Sequence, residues 1–452
     1  MASLFFDQAL LPSGFASNVR LSLAGGRIER LEHGVAAKAE DERHAIGLPG
    51  LPNLHSHAFQ RGMAGLAELR GPSSDSFWTW REVMYRFALS MSPDDVEAVA
   101  TQLYVEMLEA GFTRVGEFHY LHHDRDGQPY AELGEMASRI AAAAATTGIG
   151  LTLLPVFYAH SGFGGQAPGE GQRRFINDRE RFAKLMERSR QALTPLDGAV
   201  IGIAPHSLRA VTQEELLAIL PLAGSAPIHI HVAEQTKEVE DCLAWSGQRP
   251  VERLLAHTPV DRRWCLIHAT HMTGEETRAM AASGAVAGLC PITEANLGDG
   301  IFPAGKFTAA GGEYGVGSDS NVLIGLADEL RQLEYSQRLA HRARNVMASA
   351  ATHSTGRALF EGALAGGARA TGVAPDGLAV GAPADIVSLD AAHPALIGRE
   401  GDAVLDALIF AARDRLVDCV WRGGRKLVTG GRHVARDASL ARFRAVMERM
   451  VA

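Results

Sequence analysis

The segment Leu54-His55-Ser56-His57 sets two imidazoles two residues apart. On a strand, side chains at i and i+2 point the same way, so both rings can hold one ion together. In His229-Ile230-His231-Val232-Ala233-Glu234 an apolar run ends in a histidine, and a carboxylate follows three residues later. That order suits a metal ligand followed by a proton shuttle. Water activated by an ion needs a base to take its proton and an acid to return it to a leaving nitrogen, and one carboxylate can do both in turn. His229, two residues deeper, reads as a buried neighbour rather than a ligand. Leu266-Ile267-His268 and Gly315-Val316-Gly317-Ser318-Asp319 close two further apolar runs with a polar residue. Each motif alone has a plain structural explanation: a histidine satisfied by a backbone carbonyl, a glutamate solvated on the polar run Gln235-Thr236-Lys237-Glu238, an aspartate capping the next helix. Four such coincidences at the ends of apolar runs argue instead for one divalent ion and for hydrolysis by the water it activates.

These residues need a frame that brings strand ends together. Between the two ends of the chain, apolar runs alternate with helical periods, the pattern of βα units and a parallel sheet. Strands are expected to start near Thr113, Gly150, Ala199, Ile228, Trp264, Ala285 and Tyr314, with one more running into Leu54. Eight units predict an α/β fold of the (β/α)8 barrel type, in which chemistry sits at the C-terminal ends of the strands. One helix is fully punctuated: Ser92 as cap, Pro93 in the first turn, Asp94 and Asp95 at the positive end, a core stripe of Val96, Val99, Leu103 and Met107, and Gly111 at its end. An alanine-rich helix surrounds Ala141 to Ala145, and there is no internal repeat. The two chain ends differ from the middle. Val19, Leu21 and Leu23 alternate with polar neighbours before Gly25-Gly26, and short runs at 384–389, 417–421 and 426–428 are broken by glycine turns. They predict a small β-sandwich of residues 1–48 and 375–452, closed by an amphipathic helix bearing Leu440, Phe443, Met447 and Met450, around a catalytic barrel of residues 49–374.

Composition narrows the partners. The net charge of -8 and the lack of any Lys/Arg run argue against nucleic acid or an anionic membrane surface, leaving a small molecule as the substrate. Cys242, Cys265, Cys290 and Cys419 are scattered and read as reduced, structural thiols. The start MASLFFDQALL has no basic residue and meets Asp7, and no apolar run is long enough to span a bilayer, so a cytoplasmic protein is expected. The oligomeric state stays open, with a homodimer among the options.

At this point the chain resembles the amidohydrolase superfamily over its whole length, and within it the mononuclear deaminases. The resemblance rests on His55 and His57 after strand one, His231 with Glu234 after strand five, His268 after strand six, Asp319 after strand eight, and the segment Ala382-Pro383-Ala384-Asp385-Ile386-Val387. It implies a metal held by His55, His57, His231 and Asp319. Binuclear members carry a carboxylated lysine between two metals, and neither Leu151 to His160 nor Ile201 to Arg209 contains a lysine. One ion per chain is the consistent reading, zinc the expected one.

Four stretches resemble the formimidoylglutamate deiminase family more closely: Asn53 to Arg61, Ser76 to Glu82, Gly116 to Tyr120, and His206-Ser207-Leu208-Arg209. The implied substrate is N-formimino-L-glutamate, whose amidine carbon takes water and whose two carboxylates need partners. Arg81, Arg209, Tyr120, Gln60 and His206 are the matching candidates, and guanidinium forks do grip carboxylates bidentately. Gln60 and His206 could equally support the metal ligands. In the implied mechanism Asp319 or His268 accepts a proton while Glu234 ferries one to departing ammonia. Ser320 and Asn321 receive no role. Two alternatives stand beside this reading: a deaminase of a purine, pyrimidine or pterin ring on the same scaffold, and a metal-binding scaffold that has lost catalysis, against which the retention of Glu234 beside a complete ligand set argues.

Overall fold

The computed structural model describes residues 2–69, 77–413 and 416–451. The amino-terminal end forms β1 (Ala2–Leu11), β2 (Gly14–Ala24), β3 (Arg27–Glu32) and β4 (Glu42–Pro49). Val19, Leu21 and Leu23 of β2 are buried, as their alternation requires. The chain then enters β5 (Leu51–Ser56), β6 (Phe112–His119), β7 (Gly150–Phe157), β8 (Val200–Ile201), β9 (Ala204–Pro205), β10 (Ile228–Val232), β11 (Trp264–His268), β12 (Val286–Leu289) and β13 (Glu313–Val316). β8 and β9 both pair with β7 and are two pieces of one interrupted strand, which leaves eight positions. All pairings among them are parallel, in the arcs β5-β6-β7-β8 and β10-β11-β12-β13. Bridges Ile203↔Ile228 and Ser207↔His231 join the arcs on one side, and Ser56↔Asp319 joins them on the other. The sheet is closed, and both faces of its strands are covered, which is why they read as near-continuous apolar runs.

Helices ring the barrel. Ser92 Oγ accepts from Asp95 N (3.2 Å) while Asp95 Oδ2 accepts from Ser92 N (2.9 Å), a reciprocal cap on the helix Pro93–Glu109. The helix Thr355–Ala370 lies against β13 with almost nothing between the two backbones: a Cβ on Gly366 would stand 2.0 Å from Tyr314 O. Alanine at 366 would gain about 1 kcal/mol of helix propensity. The clash is with a backbone carbonyl that no rotamer change relieves, so overpacking of about 1–3 kcal/mol or more should win. Gly366→Ala is expected to lower the thermal unfolding midpoint, and a raised midpoint would refute the close packing.

The carboxy-terminal strands are β14 (Ile386–Leu389), β15 (Val417–Arg422), β16 (Arg425–Thr429) and β17 (Arg432–His433). They join the first four in a single hydrogen-bonded sheet of order β17-β16-β15-β14-β4-β1-β2-β3, with β4 parallel to β1 and antiparallel to β14. The two leaves of the sandwich are therefore one sheet folded over. Ile28 N donates to Ala382 O (3.0 Å) and Ala384 N to Gly26 O (2.9 Å), and Phe6, Val19, Ile28, Ile386, Cys419 and Trp421 share one core. The last helix, Arg436–Met450, docks on the barrel helix Pro93–Glu109. Ser439 Oγ donates to Gln102 Oε1 (2.7 Å) and Arg442 pairs with Glu97 (3.0 Å), while Leu440 is 36% exposed. Phe443, Met447 and Met450 pack against the main core beside buried Val446, so most of the predicted apolar stripe faces inward, with these polar contacts beside it. The four cysteines are buried and free. No helix among the described residues is long and apolar enough to cross a membrane.

Candidate metal centre and substrate pocket

His55 and His57 stand at the end of β5, His231 on β10, and Asp319 three residues past β13. One donor atom from each lies within 4.8 Å of all the others, and all four residues are buried. Asp319 Oδ1 is 3.3 Å from His55 Nε2 and 3.2 Å from His57 Nε2, and His231 Nε2 is 3.1 Å from His55 Nε2. Four ligands at about 2.0–2.1 Å around a tetrahedral ion stand roughly 3.3 Å apart, so this cluster has the right size for one. Its donor chemistry fits as well. His57 Nδ1 is 2.9 Å from Phe118 O and His231 Nδ1 is 3.1 Å from His206 O; N–H groups donated there leave Nε2 lone pairs converging with a carboxylate. Burial drives His55 down to about 3 and His231 well below the ordinary value, which keeps both rings neutral and able to ligate. Burial opposes ionisation of Asp319, yet the His55 and His57 rings that face it hold it well below the usual carboxylate range.

His268 Nδ1 is 3.2 Å from Glu294 Oε1, and its Nε2 faces Glu234 Oε1 at 3.8 Å and Asp319 Oδ2 at 3.7 Å. Burial works against its charge, but the three carboxylates outweigh it and push His268 up to about 10. Burial raises Glu234 to about 7. The run after Glu234 is not a plain solvated one. Glu238 is buried, and its two oxygens accept from Ala233 N and Glu234 N, each at 3.2 Å, pinning the loop that carries Glu234. His229 is the buried core histidine its depth predicted, with Nε2 2.7 Å from Ala370 O.

Backbone strain gathers at the same strand ends. Ala233 (φ 52°), His268 (66°), Ala269 (46°), Asp319 (41°) and Asn321 (57°) adopt left-handed conformations, at about 1–3 kcal/mol each. A buried polar network offsets this and locks β5 to the segment after β13. Asn53 Nδ2 donates to Ser318 Oγ (2.6 Å), Ser318 Oγ to Asn321 Oδ1 (2.6 Å), and Asn321 Nδ2 to His57 O (3.0 Å), Asp319 O (2.9 Å) and Ser56 Oγ (3.2 Å). Gly317 lets the strands meet, since a Cβ there would lie 2.7 Å from His55 O. Ser320 Oγ is 3.0 Å from Thr293 Oγ1. Asn321→Ala removes three donations that set His57 and Asp319, and metal affinity is expected to fall about 10–100-fold. Chelator competition on the purified variant measures it; unchanged affinity would leave Asn321 a purely structural residue.

Above the cluster opens a cavity lined by His57, His231, Glu234, His268 and Asp319 together with Gln60, Arg81, Tyr120, His206 and Arg209. The five residues nominated for substrate therefore share one space with the four-donor cluster. Gln60 Nε2 donates to Tyr120 Oη (2.8 Å), whose ring packs edge-on to His57. His206 lies 4.5 Å from the Tyr158 ring. Arg209 is 8% exposed; burial disfavours its charge, but Glu238, Tyr158 and Glu234 raise its pKa above the ordinary value. Arg81, half-buried on the helix Phe77–Ser90, reaches over the Tyr85 ring at 5.5 Å. Ser76 and the side chains of Phe77 and Trp78, from the same stretch, lie outside the described residues. Sequence reading missed Tyr158, Phe175, Trp80 and Glu294. Tyr158 follows β7 directly, so the strand-end rule could have found it, and Trp80 lies in the Ser76 to Glu82 stretch already singled out; Phe175 and Glu294 had no positional signal.

The amidohydrolase family model matches residues 46–427, and the model described as the N-terminal domain of formimidoylglutamate deiminase HutF matches residues 1–45. The chain is 51% identical over 449 residues, 99% of both chains, to formimidoylglutamate deiminase of Pseudomonas aeruginosa. It is 28% identical over 428 residues to 8-oxoguanine deaminase of the same species, covering 92% of this chain and 90% of that one. A crystal structure of an amidohydrolase from Brucella melitensis matches with a TM-score of 0.97 and 64% identity over the whole of both chains. An adenosine deaminase from Xanthomonas campestris with bound zinc shares the fold, with a TM-score of 0.83 at 22% identity over 100% of this chain and 98% of that one. A family match across most of the sequence and a full-length relative at half identity give one answer: the chain belongs to the amidohydrolase family and, within it, to the formimidoylglutamate deiminases.

Proposed function

We propose that the chain hydrolyses N-formimino-L-glutamate to N-formyl-L-glutamate and ammonia, a step of histidine degradation, with one zinc ion held by His55, His57, His231 and Asp319. The observation that carries this is the lining of one cavity by Arg81 and Arg209 together with the four-donor cluster and Glu234. Two guanidiniums suit a substrate with two carboxylates, which a neutral purine or pterin ring does not offer. A divalent ion in the cluster supplies a Lewis acid that brings the pKa of water towards neutrality. Glu234 takes a proton from the attacking water and delivers it to the leaving nitrogen, so that the amidine carbon gains oxygen and ammonia departs. His268, turned towards both Glu234 and Asp319, steadies the water's approach. Arg209 and Arg81 bind the carboxylates, and Gln60, Tyr120 and His206 complete the wall. The same reading divides the chain into a barrel of 49–374 and an end domain of 1–48 and 375–452, and places the enzyme, alone or as a homodimer, in the cytoplasm.

Ammonia release from a substrate panel tests the proposal. Formimino-glutamate should be turned over well and purines or pterins ignored; the reverse ranking would show a ring deaminase on the same scaffold. Arg209→Met should then weaken action on formimino-glutamate by about 2–5 kcal/mol, at least tenfold in kcat/KM, if the partner carboxylate stays desolvated. An amidine without carboxylates never uses that contact and should suffer much less. Equal losses on both compounds would take Arg209 out of substrate recognition.

A further inference from the structure

A second group of donors lies away from the barrel mouth, on the sheet built from both chain ends. His44 of β4 and Asp418 and Cys419 of β15 each bring one ligating atom within 4.8 Å of the others. Adjacent residues on a regular strand face opposite sides of the sheet, so Asp418 and Cys419 would not ordinarily converge. Here the ladder is broken. Ser388 of β14 pairs with Cys419 and Leu389 with Val417, which leaves Asp418 as the extra residue of a bulge. The bulge brings the Cys419 thiol to 3.4 Å from Asp418 Oδ2, and His44 Nδ1 reaches the same oxygen at 3.6 Å from β4, across the intervening β14.

His44 is already oriented as a ligand. Its Nε2 is 2.9 Å from Glu42 Oε1, so the ring N–H is used there and the Nδ1 lone pair faces the other two donors. A carboxylate behind an imidazole is the arrangement that fixes the tautomer of metal-binding histidines. The ring stands edge-on to Trp421 with centroids 4.9 Å apart, and its side chain is 9% exposed, so it is held in place before any ion arrives. Charge balance points the same way. Burial and the neighbouring Asp418 raise the Cys419 thiol, so an ion would displace its proton on binding; Glu42, Asp418 and the resulting thiolate, against Lys426 beside Glu42, would then be neutralised by a divalent ion.

We propose that His44, Asp418 and Cys419 form a second cation site, separate from the barrel cluster, for thiophilic divalent ions of the zinc class. Sulfur and nitrogen donors select such ions over magnesium or calcium, and three protein ligands leave a fourth position for water. Binding forms a metal–sulfur bond and releases the thiol proton to solvent.

Cobalt(II) tests this with a readout that does not depend on turnover. The full chain, stripped of metal and titrated with Co2+, should bind two equivalents, and one of them should show the near-ultraviolet thiolate-to-cobalt charge-transfer band. Cys419→Ser should lose that band and one equivalent while ammonia release by the loaded enzyme is unchanged. Asp418→Asn, at a half-exposed position that folding tolerates, should weaken the second equivalent at least tenfold. Cys290→Ser is the control, because that thiol lies beside His268 and Asp319, where it too could reach an ion. One equivalent in the unmodified chain, a band that survives Cys419→Ser, or a band lost only in Cys290→Ser would each overturn the proposal.

Discussion

Glu234→Gln is expected to lower turnover of formimino-glutamate by about 10²–10⁴-fold while the fold and the bound metal persist. The amide keeps the shape of the side chain and can still hydrogen-bond, but it cannot accept a proton and give it back. Glu234 is buried, and burial has raised it to about 7, so the carboxyl sits where taking and releasing a proton are both accessible near neutral pH. Its backbone is pinned by Glu238, so the substitution should not loosen the loop. The measurements are kcat by ammonia release, metal content and the far-ultraviolet circular dichroism of the same sample. Turnover close to the unmodified enzyme would remove Glu234 from the mechanism and leave His268 and Asp319 as the proton-handling groups.

Chelation should abolish turnover altogether, and one equivalent of zinc per chain returned to the barrel should restore it. The neutral imidazoles of His55 and His231 and the ionised Asp319 are the protonation states a divalent ion needs, and their atoms are already spaced for one. His57→Ala should cost the same activity, since three donors remain where the cluster has four. Metal analysis alongside activity checks both statements. Nickel or iron in place of zinc would change the ion and keep the chemistry. Two equivalents that are both required for turnover would sink the single-ion mechanism, whereas a second equivalent dispensable for turnover would not.

How much of this was legible before folding depends on the range of the interactions involved. The starts of the barrel strands could be read to within a residue, because a strand buried on both faces must be apolar along its length and glycine and polar clusters bound it. The candidate site could be read because the barrel puts chemistry at strand ends, so the proposed ligands His55, His57, His231 and Asp319, and His268 beside them, carried positional as well as chemical information. The cap at Ser92 was equally local. Other features join residues far apart in the chain, and no sequence period encodes them. The Asn53–Ser318–Asn321 network spans 265 residues between its first two members, and the Glu294 partner of His268 sits after a different strand. The bulge that frees Asp418 from its ladder was decided in the same way. Sequence alone determined the barrel, the ligand types and the candidate shuttle, since those follow from hydrophobic periodicity and side-chain chemistry acting over a few residues. Tertiary structure decided which tautomer each histidine adopts, which acids lie buried beside His268, and which aromatic rings wall the pocket, because each depends on the distance between segments that only the closed barrel brings into contact.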